Sequence, residues 1–350
     1  MSFYCDDDTI DVIPMAFLYI FRGKGGLPLI DFSNICGLGS GRKFAGSDLT
    51  DCSFLESDIR KCQAKGKIVT ISLGGATSEV GFSSEAQAEA FGQLLWDMFL
   101  GGKGSIRPLG NVALDGIDLD IEKGSSAHYA AMVNKIRSLA KGASKRYYIT
   151  AAPQCPFPDV YISSALNNAF FDAVYVQFYN NYCGTAMSEF NFDTWDKWAR
   201  TQSPNRNIKV YLGAPGSSKA AGNGYVDIQT LSRIAKDAQD RYPSFGGVML
   251  WDADVAYMNN RYDRAIKDTL TGGAPRPNPP PDSANSGPTN TPETVQVEPS
   301  LPELKLPDDF KDPRKTARVK RPSFTLGLRN EAAASPAPAE RARTSRSFRF

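Results

Sequence analysis

Seven apolar runs of strand length, separated by helical stretches, leave this chain few folds to adopt. The runs are Val12–Phe21, Ile68–Leu73, Gly116–Ile121, Tyr147–Ala152, Ala173–Tyr179, Ile208–Gly213 and Gly246–Trp251. They lack polar alternation, as expected of strands covered on both faces. Such strands alternating with helices imply a parallel sheet. Helical signals fill the intervals. Ser84 with Gln87 forms a capping-box pattern. Ala88, Phe91, Leu95 and Met98 then recur at helical spacing until Gly101-Gly102. Gly124–Lys141 and Asp227–Tyr242 are helical in pattern, and Trp195 and Trp198, three apart on a further helix, are expected in the core. Closed parallel barrels have eight strands, so seven runs leave two options. The sheet is open, or the fold is an α/β TIM (β/α)8-type barrel lacking its first strand.

Composition changes near Gly272. Pro275, Pro277, Pro279, Pro280 and Pro281 open a segment rich in Pro, Ser, Thr and Asn, with few apolar residues before Phe310 and Phe324. Such a segment buries too little surface to offset the entropy of ordering. The expected division is a folded domain over 1–273 and a Pro-rich, basic, disordered tail over 274–350. Leu301–Phe350 holds twelve Lys/Arg against six Asp/Glu, whereas the first 300 residues hold 28 basic and 32 acidic groups. A body so near neutrality does not suggest a nucleic-acid-binding domain. Ile10–Phe21 is too short to span a bilayer and contains Pro14. Asp6, Asp7 and Asp8 precede it where an export signal carries positive charge. It is expected to be a buried strand.

The single histidine, His128, makes a Ser-His-Asp triad or a multi-His metal site a poor basis for chemistry. His128 is expected on a helix surface or in packing, and neither a cofactor nor a metal is expected. The six cysteines, Cys5, Cys36, Cys52, Cys62, Cys155 and Cys183, include no Cys-x-x-Cys pair. An even count fits three disulfides in an oxidising compartment, with six buried thiols as the plainer alternative. Spacing alone cannot choose among fifteen connectivities.

The chemistry is expected in the segment Asp115-Gly116-Ile117-Asp118-Leu119-Asp120-Ile121-Glu122. Asp118, Asp120 and Glu122 are two apart, so on a strand they share one face. Ile117, Leu119 and Ile121 face the other way, toward helices. Crowded carboxylates cannot all ionise, and one is expected to keep its proton through a raised pKa. A carboxylic acid protonated near neutral pH is what cleavage of a glycosidic bond needs. Glu122 is the expected donor, being last in the run, at the strand end where barrels place chemistry. Asp118 is expected to share a proton with Asp120, and Asp120 to link to Glu122. The alternative is an acidic strand that binds a cation or faces water. The interleaved Ile and Leu argue against it.

This octet resembles the Asp-x-x-Asp-x-Asp-x-Glu signature of family 18 glycoside hydrolases. Ser72-Leu73-Gly74-Gly75 is similar to the family's Ser-x-Gly-Gly motif. Thr150–Asp159, Val176–Asn181 and Gly246–Trp251 resemble strands five, six and eight of the class III (hevamine-like) plant and fungal chitinases. The likeness runs from about Ser2 to Gly273. It implies an endo-chitinase with a retaining mechanism in which the substrate's own acetamide assists. By this resemblance Glu122 is the general acid/base. Asp120 holds the acetamide, Asp118 supports Asp120, and Tyr179 donates a hydrogen bond to the acetamide oxygen. The resemblance assigns Gln177, Asn180, Trp251, Gly75, Phe17 and Met249 to substrate binding, with Trp251 as the floor beneath the reacting sugar. It pairs Cys5 with Cys62, Cys36 with Cys52, and Cys155 with Cys183. The implied partner is chitin or chito-oligosaccharides, with no nucleic acid, no membrane span and a monomeric chain. The implied location is extracellular or the cell wall, with the export signal outside this chain.

The family's barrel opens with a strand carrying an aromatic residue and Gly-Gln, which has no match here and accounts for the count of seven. Its absence would expose the edges of two strands. A non-catalytic chitin- or glycan-binding lectin on the same fold is therefore the main alternative. An endo-β-N-acetylglucosaminidase acting on N-glycans is the third reading. The class III-like flanking motifs and the cysteines argue against it.

Overall fold

A computed structural model describes residues 1–37, 39 and 41–272. The expectation of a disordered tail over 274–350 lies outside the described residues. Eight strands form one sheet: β1 (Val12–Ile20), β2 (Leu29–Ile30), β3 (Ile68–Gly74), β4 (Gly116–Asp120), β5 (Tyr148–Ala151), β6 (Ala173–Gln177), β7 (Lys209–Pro215) and β8 (Phe245–Trp251). Among the described residues the helices are α1 (Ser2–Cys5), α2 (Glu56–Ala64), α3 (Glu85–Phe99), α4 (Tyr129–Leu139), α5 (Ser163–Asn168), α6 (Phe192–Thr201), α7 (Ile228–Arg241), α8 (Ala253–Met258) and α9 (Tyr262–Thr271). The sheet order is β2-β1-β3-β4-β5-β6-β7-β8. β1 and β3–β8 are the seven expected runs, each parallel to its neighbour. This is a sheet of TIM-barrel type.

The eighth strand, β2, was not legible in the sequence. It is two residues long and antiparallel to the C-terminal part of β1. Periodicity cannot resolve so short an element. Among the described residues no pairing joins β1 to β8. Burial follows from this. Every residue of β4 and β6 is buried, whereas every residue of β8 is only half-buried.

Local signals set most element ends. The Ser84 hydroxyl caps α3 by accepting from the Gln87 N–H at 3.2 Å. Gln87 returns its amide oxygen to the Ser83 N–H rather than to Ser84, so the box is one residue wider than expected. Asp227 caps α7 through the Thr230 N–H at 2.9 Å. The helix expected over Gly124–Lys141 starts only at Tyr129. Gly124 and His128 have φ of 83° and 71°, which a helix interior does not admit. His128 takes the position just before α4.

The core is continuous from the outer faces of the strands to the helices. Ile117 and Leu119 on β4 are fully buried, as are Trp195 and Trp198 on α6. These two tryptophans are core residues, as expected. The three disulfides pair Cys5 with Cys62, Cys36 with Cys52, and Cys155 with Cys183. Among the described residues no helix is long and apolar enough to cross a membrane.

Candidate active site

Strand register assembles the site. Ser72 on β3 and Thr150 on β5 flank Asp118 on β4, and Gly74 flanks Asp120. β4 ends at Asp120, so Glu122 stands on the loop beyond it, half-buried. Both oxygens of Asp118 accept hydroxyl hydrogen bonds, from Ser72 at 2.7 Å and Thr150 at 2.6 Å. Burial pushes the Asp118 pKa up, against the pull of these hydroxyls and the Leu119 N–H. Asp118 is engaged by the two hydroxyls and acts on Asp120 through its charge.

Asp120 carries the raised pKa that crowding demands. Burial holds it well above the usual carboxylate range, reinforced by the charges of Glu122 and Asp118 and by a hydrogen bond with Glu122. The Gln177 side-chain N–H₂ knits the pair together. It donates to Asp120 Oδ1 at 2.8 Å, to Glu122 Oε1 at 3.3 Å and to the Ala152 carbonyl at 3.0 Å. Tyr179, two residues past the end of β6, is buried. Its phenol is pushed well above its ordinary pKa by burial and by Asp120, Glu122 and Asp118. It is therefore a neutral hydroxyl donor at physiological pH.

Two glycines let β3 approach the site. Gly74 has φ 117°, and a Cβ there would collide with the Asp120 carbonyl. Gly75 has φ 83° and would place a Cβ 2.9 Å from the Phe17 ring. The Gly75 N–H instead donates to the Asp120 carbonyl at 2.7 Å. Phe17 stacks on Trp251, with ring centres 5.5 Å apart and planes 24° from parallel. This contact brings the C-terminal end of β8 to β1 and forms an aromatic wall.

Two other expected binding residues have protein partners of their own. Asn180 has φ 58°, and its Oδ1 accepts from the Gly222 N–H at 2.7 Å, so it secures the loop after β7. Met249 packs inside the sheet with Ala152, Ala173, Tyr175 and Tyr211. Residue-by-residue reading had not singled out Ser72 and Thr150 as partners of Asp118. Each is a polar residue within an apolar run, which is a visible signal, but only register shows what it faces. It also missed Asp159, whose buried carboxylate accepts the N–H groups of Gln154, Tyr161 and Ile162 at 2.7–2.9 Å. Among the described residues no three His, Cys, Asp or Glu are grouped to hold a metal ion.

A protonated buried acid hydrogen-bonded to a more exposed one, with a phenol and an aromatic wall beside them, can transfer a proton to an oxygen and stabilise a nearby cation. Comparison with known proteins agrees in kind. The family description "Glycosyl hydrolases family 18" matches residues 3–240. Chitinase 2 of Rhizopus oligosporus is 46% identical over 270 residues, covering 77% of this chain and 48% of that protein. The chain spans about half the length of the Rhizopus relatives it matches. A solved chitinase from Ipomoea carnea has a TM-score of 0.67 at 34% identity, covering 77% of this chain and 94% of that one. A xylanase and alpha-amylase inhibitor protein from Scadoxus multiflorus has a TM-score of 0.64 at 30% identity, covering 78% and 93%.

Proposed function

Because this chain belongs to glycosyl hydrolases family 18, we propose that it is an endo-chitinase cleaving β-1,4 N-acetylglucosamine linkages, with Glu122 as general acid and base. The observation that carries this reading is the Gln177 side-chain amide, which donates to both Asp120 and Glu122 and holds the two acids together.

The resting pair holds one proton. When substrate binds, its acetamide N–H donates to Asp120, and the proton resides on Glu122. Glu122 gives that proton to the bridging oxygen as the bond to C1 breaks. The acetamide carbonyl oxygen, polarised by the Tyr179 hydroxyl, attacks C1 and closes a cationic oxazolinium ring. Asp120 and Glu122 are then both ionised beside that cation, which is electrostatic stabilisation aimed at developing charge. Water next attacks C1 and gives a proton to Glu122. The ring opens with the original anomeric configuration. Asp118, held by Ser72 and Thr150, supports Asp120 from below, and Trp251 with Phe17 offers a face to the reacting sugar. Three disulfides and the fungal chitinases among the relatives support action outside the cell.

The test is incubation of the full chain and a Glu122→Gln variant with N-acetylglucosamine oligomers, followed by product analysis. The parent should cleave. The variant should lose about 10²–10⁴-fold in kcat while keeping its thermal midpoint. Binding by both without cleavage by either would replace this reading with that of a glycan-binding protein.

A further inference from the structure

Proton delivery by Glu122 depends on where the Gln177 amide stands, and that position is set from outside the acid cluster. Gln177 is the last residue of β6. Its backbone N–H donates to the Pro153 carbonyl at 2.8 Å, and its carbonyl accepts from the Cys155 N–H at 3.2 Å. Its side chain donates to the Ala152 carbonyl at 3.0 Å. These three hydrogen bonds all go to residues 152–155, which run on past the end of β5 beside Gln177. The clamp can be no more rigid than this segment.

Two groups brace the segment. Asp159 is 2% exposed. Its Oδ2 accepts from the Gln154 N–H at 2.9 Å. Its Oδ1 accepts from the N–H groups of Tyr161 at 2.8 Å and Ile162 at 2.7 Å, in the turn before α5. On the other side, the Cys155 carbonyl accepts from Asn191 Nδ2 at 2.9 Å and from the Trp195 indole at 3.1 Å. Burial pushes the Asp159 pKa up, against the pull of its three N–H partners. A buried acid is a costly way to satisfy one turn, which Ser, Thr or Asn would serve. A carboxylate differs in offering two acceptor oxygens, which here face two stretches of backbone at once. We infer that Asp159 is a positioning residue for the acid pair: by tying residues 153–155 to the turn before α5, it sets where the Gln177 amide stands between Asp120 and Glu122. This rests on the chitinase reading and adds a residue that acts on the chemistry through the clamp.

The experiment is a double-mutant cycle on the full chain, with the N-acetylglucosamine tetramer as substrate. In Asp159→Asn the remaining oxygen keeps the Tyr161 and Ile162 bonds, while the new amide N–H₂ faces the Gln154 N–H and breaks that link. kcat and kcat/KM should fall together by about 10–10²-fold, the loss that a misplacement of about 1 Å causes. On a Gln177→Ala background the same substitution should change kcat by less than about twofold, because the clamp it positions is gone. The Asp159 charge also reaches Asp120, so Asn191→Ala repeats the cycle with no change of charge. It removes one bond to the Cys155 carbonyl, and Asn191 Oδ1 has no partner to lose among the described residues. It should give a smaller loss with the same dependence on Gln177, and it carries the test should Asp159→Asn fail to fold. Thermal midpoints report the folding of every variant. Equal losses with and without Gln177, or no loss in its presence, mean that the brace serves the fold alone and overturn the inference, with the chitinase reading intact. No cleavage by the parent overturns both.

Discussion

Asp120 shows how one residue trades stability for chemistry. Its folded pKa lies well above the ordinary 3.8, through burial and the neighbouring charges of Glu122 and Asp118. The folded state therefore binds its proton more tightly than the unfolded chain does. Stability linked to Asp120 is full below pH 3.8 and falls as pH rises through the raised value. Asn cannot ionise, and its Oδ1 still accepts from Gln177. Asp120→Asn should raise the thermal midpoint at pH 7, with each kcal/mol worth about 2–4 °C in a chain of this size. The gain should vanish below about pH 4. Cleavage should meanwhile fall by at least about 10²-fold. Thermal melts across pH, alongside an oligomer assay, check both. A gain that persists at low pH would mean that the ionisation of Asp120 is not its source.

At the scale of elements, the site depends on how closely β3 can approach β4. Gly74 is the tightest point, because φ 117° excludes L side chains and the Asp120 carbonyl fills the space where a Cβ would sit. Gly74→Ala should destabilise the fold by about 3 kcal/mol or more, adding a clash to backbone strain of order 1–3 kcal/mol. A denaturant midpoint measures this. Sequence legibility divides at the same scale. The runs that became β3, β4 and β6 were visible as apolar segments, and the two-residue spacing placed Asp118 and Asp120 on one face of β4. What escaped was where strands end. Glu122 and Tyr179 are loop residues just past β4 and β6. β2, at two residues, carries no period, and the bond from the Gly222 N–H to Asn180 joins loops far apart in the chain.

For the molecule as a whole, the start and end of the described chain are joined by charge. Arg261, before α9, pairs with Asp7 and Asp263, and Arg264 pairs with Asp7 at 3.1 Å. Thr9 donates to Asp7 at 2.9 Å and to Asp263 at 3.1 Å. Burial pushes the Asp7 pKa up, but the Thr9 hydrogen bonds and the Arg261 and Arg264 charges outweigh it, and the net shift is downward. Asp7 thus contributes stability above pH 3.8 that is lost as pH falls through its lowered value. Arg261→Gln should cost about 1–3 kcal/mol at pH 7 by leaving the half-buried Asp7 and the buried Asp263 short of a partner. The difference from the parent should shrink below about pH 4. A constant difference across pH would show that the arginine contributes packing rather than charge. This clasp matters because no strand pairing joins β1 to β8 among the described residues.

By itself the sequence determined the parallel sheet, the strand bearing the acids and the core tryptophans, because hydrophobic period and two-residue spacing are properties of neighbours along a chain, and its motifs carried the resemblance to the family. Only the tertiary structure decided that Asp118 answers to Ser72 and Thr150, that one Gln177 amide spans Asp120 and Glu122, and that Phe17 meets Trp251. Those contacts join residues on different strands, and register and the return of β8 to β1 exist only once the sheet has formed.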